Sequence, residues 1–438
     1  MTAEDLKRRF DEGPMNPFRI RVVILMLLIS ALDGYDALSI SFAAPAISRS
    51  WALGKAALGV VLSSSLAGMA VGSLLIAPFA DILGRKKMAL FGLVLTALGS
   101  LLSGLAHSVA ELLLWRFLTG VGIGACAAMI MTVTAEFANT RFRPMAMALM
   151  AIGYPIGGLV GGLFASAMLV HFSWRSVFLA GCVGGIGMIP MVALLLPESL
   201  AFLLGRDQRR RLAHINSILS RSGLARIDAP PPVVRGQRGY AGLFDRVQRA
   251  VTIRLAIVSA INTAAAYFTL SWLPQIVHFA GISPSGASLI AAVASLAGIV
   301  GGLCFGLFAR GRRQTRIAAL LLIADGVAIA VFGVAPASMT MLIPAGALCG
   351  FFLYAAATAF YAILPQNFPD SSRSAGIGFV IGCGRVTSAV APTLAGWLLA
   401  VNLNVAQVFA LFGAGAIIAG LILITHHAPE SLVPRPLD

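Results

Sequence analysis

Charge is what this sequence has least of. Only 11% of its 438 residues are Asp, Glu, Lys or Arg, while 58% are apolar; soluble proteins carry about 25% charged residues. So few charges cannot cover a water-facing surface, which argues against a soluble globular enzyme, and a mean hydropathy of +0.90 makes lipid the main solvent. Long apolar runs without polar alternation exclude disorder and an outer-membrane barrel. Cysteine is scarce too. Cys126, Cys182, Cys304, Cys349 and Cys383 lie inside apolar runs with no CxxC pair, so neither a disulfide framework nor a metal site is expected. GxxxxGK[ST] is absent, which disfavours ATP as the energy source, and no nucleophile–base or metal constellation suggests an enzyme. The start MTAEDLKRRFDEGPMNPFRIR is polar and basic, so no cleavable signal peptide is expected.

What is present is apolar length. A bilayer core of ~30 Å needs about 20 apolar residues in a helix. Twelve runs qualify, near 22–47, 56–80, 88–106, 112–135, 144–170, 175–196, 253–279, 285–309, 317–335, 338–364, 374–400 and 405–425. A basic stretch at 197–252, containing Pro230-Pro231-Pro232, divides them into an N-terminal half (1–196) and a C-terminal half (253–438). The net charge of +15 would suggest nucleic acid in a soluble protein. Here 27 of the 32 basic residues fall in loops on one face, and only Arg49, Lys55 and Arg175 in loops on the other. The positive-inside rule therefore places both termini in the cytoplasm and the chain in the inner membrane, with no nucleic-acid partner.

The halves echo each other. Pro197-Glu198-Ser199-Leu200 after the sixth run returns as Pro429-Glu430-Ser431-Leu432 after the twelfth. Gly84-Arg85-Lys86-Lys87 returns as Gly311-Arg312-Arg313, and the Phe137/Arg143 pair as Phe368/Arg373. Three echoes at one spacing in equivalent loops indicate two parallel six-helix repeats, which enclose a site at their interface near the midplane.

These motifs resemble the major facilitator superfamily. Asp81-Ile82-Leu83-Gly84-Arg85-Lys86-Lys87 is similar to its D-x-x-G-R-[RK]-[RK] signature, Arg116-Phe117-Leu118-Thr119-Gly120 to its R-x-x-x-G, and Pro197-Glu198-Ser199 to its P-E-S. Asp33-Gly34-Tyr35-Asp36, Ser271-Trp272-Leu273-Pro274 and Gly382-Cys383-Gly384-Arg385 resemble the aromatic acid:proton symporter group within it. The resemblance implies an all-α membrane protein of twelve transmembrane helices in two six-helix pseudo-repeats. It also implies a cytoplasmic latch of Asp81, Gly84, Arg85, Glu136, Arg143 and Glu198, whose salt bridges favour the outward-open state. The second half lacks the Asp before Arg310-Gly311-Arg312-Arg313, and Asn367 stands opposite Glu136, so only the N-terminal network should be complete.

Ionisable residues inside the runs are few: Asp33, Asp36, Arg116, Asp325 and Arg385, with His278 near an end. Each costs at least ~2.5–3.5 kcal/mol there and needs a cavity or a partner. Asp33 and Asp36 share a helix face and lie roughly 17 and 21 Å above the start of the first run. Two close carboxylates in a low dielectric cannot both stay ionised cheaply, so the pair should hold an exchangeable proton. The alternative is a cap or helix break around Gly34. Arg385, about 17 Å into the eleventh run, can hold a carboxylate in a two-pronged bond, or form a permanent ion pair with Asp33 or Asp36. Arg116 either pairs with Asp36 in a proton relay or holds the first and fourth helices together. Asp325 is expected to serve packing.

The pocket candidates are Tyr35, Tyr154, Asn262, Tyr267, Trp272, Gln275, Phe351, Tyr354 and Tyr361. A flat acid can stack on such rings for ~0.5–1.5 kcal/mol each; aromatic residues at helical spacing also simply pack. The combined expectation is a monomeric proton-coupled symporter that imports a small organic anion, an aromatic carboxylate such as a benzoate or hydroxybenzoate, with the proton as coupling ion and no other cofactor. The alternatives are a carrier of another organic acid, a sugar or drug antiporter, and a receptor without flux.

Overall fold

The chain enters the bilayer through a capped helix. In the computed structural model, which describes residues 2–204, 211–229, 231, 244–245, 248–308, 314–368 and 373–425, with side-chain surroundings left out at 81, 128, 307–308 and 373–375, helix α1 (Ala3–Glu12) comes first. Thr2 and Asp5 form its capping box, and those hydrogen bonds hold the Asp5 carboxyl below its usual value. Helix α2 (Pro17–Trp51) follows, with the Asn16 side chain accepting from Arg19 N at 3.1 Å and Pro17 in the first turn, where a missing N–H costs nothing. Next come α3 (Lys55–Val71), prolonged by a π turn at Gly72–Ile76 and a 3₁₀ turn at Ala77–Phe79, then α4 (Ala80–Leu83), α5 (Arg85–Leu105), α6 (Val109–Phe137), α7 (Arg143–His171) and α8 (Arg175–Leu195). Two short helices, α9 (Leu200–Leu204) and α10 (Arg211–Arg221), precede α11 (Gln248–Phe279), α12 (Pro284–Phe308), α13 (Gln314–Gly333), α14 (Met339–Ile363), α15 (Arg373–Ala400) and α16 (Val405–Ile424). Twelve helices among the described residues are long and apolar enough to cross a membrane, one for each predicted run.

Packing repeats between the halves. In the first, α2 packs on α7, α3 on α6, and α5 on both α6 and α8; in the second, α11 packs on α15, α12 on α14, and α13 on both α14 and α16. The contacts between halves obey the same symmetry: α3 meets α15, and α7 meets α12. Small residues allow this closeness, because helices in lipid associate by backbone-to-backbone packing. A Cβ on Gly396 would lie 2.6 Å from the Lys55 carbonyl, and one on Gly162 would lie 2.8 Å from the Ala292 methyl.

That closeness holds at one end only. The inter-half hydrogen bonds of the described residues all lie away from the basic loops, among them Thr393 Oγ1 to Ser63 Oγ (2.8 Å), Lys55 to Leu399 O (3.4 Å), Ser285 to Ser166 O (2.7 Å) and Ser288 to Phe42 O (3.5 Å). Toward the basic side a Cβ on Gly382 would touch only Leu74, and on Gly378 of α15 or Gly306 of α12 it would meet open space. The halves are sealed at the far end and diverge toward the basic one.

The basic end of the first half is finished by polar elements that the apolar-run criterion does not find. Leu6 and Phe10 of α1, with Ile215, Ile218 and Leu219 of α10, join one core cluster with Phe137 and Leu200. Arg19 is fully buried there, donating to the Phe10 and Gly13 carbonyls with its guanidinium 4.0 Å over the Phe10 ring. The Gly311-Arg312-Arg313 and Pro429-Glu430-Ser431-Leu432 echoes lie outside the described residues.

Candidate functional site

Where the halves diverge, near mid-helix, Arg385 of α15 donates to the Tyr267 hydroxyl of α11 at 3.0 Å. Tyr154 of α7 and Tyr361 of α14 lie within electrostatic reach of this pair, and Tyr354 stands beside Tyr267 and Ser295. These rings come from both halves. Tyr361 is 44% exposed. Arg385 has no ion pair within 4 Å among the described residues. The permanent pair with Asp33 or Asp36 is therefore not formed, and a two-pronged cation faces the lumen with a phenol as its only hydrogen-bond partner among them.

Asp33 and Asp36 have different surroundings. The helix runs unbroken through Gly34, so a cap or break there is ruled out; Gly34 instead lets α2 touch the Tyr154 backbone of α7, which a Cβ would block. Asp36 is buried inside the first half. Its Oδ1 accepts from Ser100 Oγ at 2.8 Å, and its Oδ2 has no partner. Arg116 reaches it through that serine and through its carbonyl, not by a direct ion pair, and its bonds tie α2, α5 and α6 together. All five N–H directions of the guanidinium are used: Nε on Ser103 (2.9 Å), one terminal nitrogen on Ser39 (3.0 Å) and the Asp36 carbonyl (3.4 Å), the other on Ser100 (3.0 Å) and Thr119 (2.9 Å). The Phe178 ring lies 4.5 Å beneath it. Asp33, 5% exposed, makes no side-chain hydrogen bond or ion pair among the described residues and lies within electrostatic reach of both Asp36 and Arg385. One carboxylate is held in a network, and the other faces the unpaired arginine across the seam.

The expected latch is partly assembled. Gly84 has φ +101°, a conformation that disfavours a side chain, and a Cβ there would strike Glu198. The turn delivers the Arg85 and Lys86 N–H groups to Glu198 Oε1 at 2.8 and 3.3 Å. The Arg85 guanidinium pairs with Glu136, which also accepts from Ser199 Oγ and from Ala201 N (2.7 Å). Arg143 does not join; it pairs with Asp11 of α1 at 2.8 Å. The Asp81 side chain lies outside the described residues. The described contacts join α5, α6 and α9 within the first half.

Other candidates sit elsewhere. Tyr35 is drawn inside the first half, where its hydroxyl donates to Val177 O at 2.6 Å. Trp272 is fully buried in the second, its indole N–H on Pro392 O at 3.0 Å. Asn262 and Gln275 are buried on α11, the latter with Oε1 unpartnered. His278 bonds the Ile282 carbonyl at 2.8 Å and closes the end of α11. Asp325 is fully buried with neither oxygen partnered. No group of three His, Cys, Asp or Glu among the described residues could hold a metal. Ser39, Ser100, Ser103 and Thr119 were not anticipated, since a lone hydroxyl in an apolar run looks like a packing residue; their common helical side toward Arg116 is the only signal they carry.

Comparison with known proteins agrees with this geometry. A family model described as Major Facilitator Superfamily matches residues 26–275 and 255–438. A gallate transporter of Pseudomonas putida is 30% identical over 436 residues, 98% of this chain and 97% of that protein. The 4-hydroxybenzoate transporter PcaK of Pseudomonas aeruginosa is 28% identical over 95% of this chain and 96% of its own length. A crystal structure of a D-xylose-proton symporter superposes with a TM-score of 0.70 at 16% identity, covering 94% of this chain and 98% of that one, which shows the shared fold. The family and these relatives indicate a transporter and not an enzyme.

Proposed function

We propose, for a chain that belongs to the major facilitator superfamily, a proton-coupled symporter that imports a small aromatic carboxylate across the inner membrane. The observation that carries this is Arg385: a mid-helix guanidinium bonded to Tyr267, ringed by tyrosines and lacking an ion-pair partner among the described residues. A carboxylate from water supplies that partner, and the rings suit a flat body. The names of the relatives, gallate and 4-hydroxybenzoate transporters, fit such a cargo. A neutral sugar or an organic cation would leave the charge unmet.

Proton coupling is read from the contrast between the two aspartates. Asp36 is tied through Ser100 into the Arg116 network. Asp33 makes no side-chain hydrogen bond or ion pair among the described residues, so it is the carboxylate that takes the proton and loses it as the lumen changes sides. The basic side is cytoplasmic by the positive-inside rule, so the molecule is open inward and both termini are cytoplasmic. The protein acts as a monomer, its site lying between the halves of one chain. The test is uptake of labelled benzoate or hydroxybenzoate into vesicles with and without an inward proton gradient. Accumulation that follows the gradient and collapses with a protonophore supports the proposal; equal uptake with and without the gradient removes the coupling, and no saturable uptake of any aromatic acid removes the cargo.

A further inference from the structure

A second cavity, of about 470 Å³, lies away from the lumen, where the start of α5 meets α9 and α10. Binding sites for small molecules range over about 300–1,000 Å³. Its floor is apolar, built from Leu90, Phe202, Leu203 and Ile218. Its rim is basic: Lys86 and Lys87 from α5, His214 and Arg221 from α10. None of these four has an acid within 4 Å among the described residues. Arg221 is oriented by stacking, its guanidinium 4.4 Å over the Phe18 ring. The one carboxylate on the wall, Glu198, has its Oε1 turned onto the backbone N–H groups of Arg85, Lys86 and Ser199, and it stands against four basic side chains.

The cavity adjoins exposed apolar surface at the end of a membrane-length helix. Leu83 is part of its lining and 52% exposed, with Ile82 47% and Phe79 48% exposed next to it, where the chain turns into the third membrane span. A soluble anion would need only the rim. A ligand with an anionic head and apolar chains uses the rim, the floor and the flank together, and basic pockets of this kind at the membrane boundary suit acidic lipid headgroups. We propose that this cavity binds an anionic phospholipid, its phosphate among Lys86, Lys87, His214 and Arg221 and its acyl chains along Leu83 and Ile82. Bound there, the lipid joins α10 to the turn at the start of α5 that carries Arg85 and bonds Glu198, and so braces the charged cluster on this side.

The test is native mass spectrometry of the full-length protein purified in detergent and titrated with phosphatidylglycerol or phosphatidylcholine. Phosphatidylglycerol should be retained at least tenfold more tightly. The triple variant K86Q/K87Q/R221Q should lose that preference, and K86R/K87R/R221K should restore it; a melting curve like that of the parent shows that each variant is folded. Equal retention of the two lipids overturns the proposal, as does undiminished preference in the folded glutamine variant. Displacement of phosphatidylglycerol by millimolar inorganic phosphate would also overturn it, because the site would then be one for a free anion.

Discussion

Arg385 decides the chemistry of the cargo. Among the described residues its only hydrogen bond is to Tyr267 and it has no ion pair, so removing the side chain breaks no salt bridge described within the protein, and a loss of binding reports the substrate. Truncating one partner of a hydrogen-bonded charge pair costs ~2–5 kcal/mol, so Arg385→Ala should weaken binding of an aromatic acid about 30-fold or more. Lysine keeps the charge without the fork and should fall between. An amide analogue of the same acid should bind poorly to the parent and lose little on mutation; titrating acid and amide on the three proteins checks this. The aspartates separate in the same way. Asp33→Asn should fold normally and lose concentrative uptake while retaining exchange. Asp36→Asn removes the one acidic group in the network around the buried Arg116, and a buried charge left uncompensated is destabilising, so its melting temperature should fall well below that of Asp33→Asn. Equal melting of the two variants would mean that Arg116 does not depend on Asp36.

Among the elements, the apolar runs were fully legible. Each of the twelve became a helix, because lipid forces backbone groups to bond internally and leaves little choice of structure. The ends moved by a few residues: the run at 22–47 became Pro17–Trp51, extended by the Asn16 cap. Helices α1, α9 and α10 were not legible, since two or three apolar residues such as Leu6 and Phe10 suffice to bury one face, too few to mark a run. The site was half legible. Charges in apolar runs stand out, so Asp33, Asp36, Arg116 and Arg385 were found, whereas their serine and threonine partners were not. Tyr35 and Trp272 misled because the sequence does not say which side of a helix faces its own half. The Arg85–Glu136 bridge belongs to this scale too. It fastens α5 to α6 and, through Ser199, to α9. A double-mutant cycle on Arg85→Ala and Glu136→Gln should give a coupling of ~0.5–3 kcal/mol in unfolding, while probe access to the lumen from either side stays unchanged. A shift in access would return these residues to the role of a seal between the halves.

For the whole molecule the consequence is alternation. Two six-helix halves with the same internal packing meet in two symmetric seams, α3 with α15 and α7 with α12, and a seam that closes at one end opens at the other. The Ser166 and Ser285 hydroxyls face each other at 3.0 Å across the second seam, at the sealed end, whereas Tyr361, near the basic end of α14, is 44% exposed. In a background whose native cysteines are replaced, Ser166→Cys with Ser285→Cys should cross-link on oxidation or through a short bifunctional reagent. The linked protein should take up no substrate, because the far side can no longer open. A third cysteine, at Tyr361, should still react with a polar thiol reagent added from the basic side, at a rate no lower than in the unlinked protein. Cleaving the link should restore the uptake that the reduced triple variant shows. If the linked protein transports as well as the reduced one, the halves do not part at this seam and the rocking mechanism fails. If linking instead shields position 361, the two ends close together and the symmetry of the contacts has no mechanical meaning.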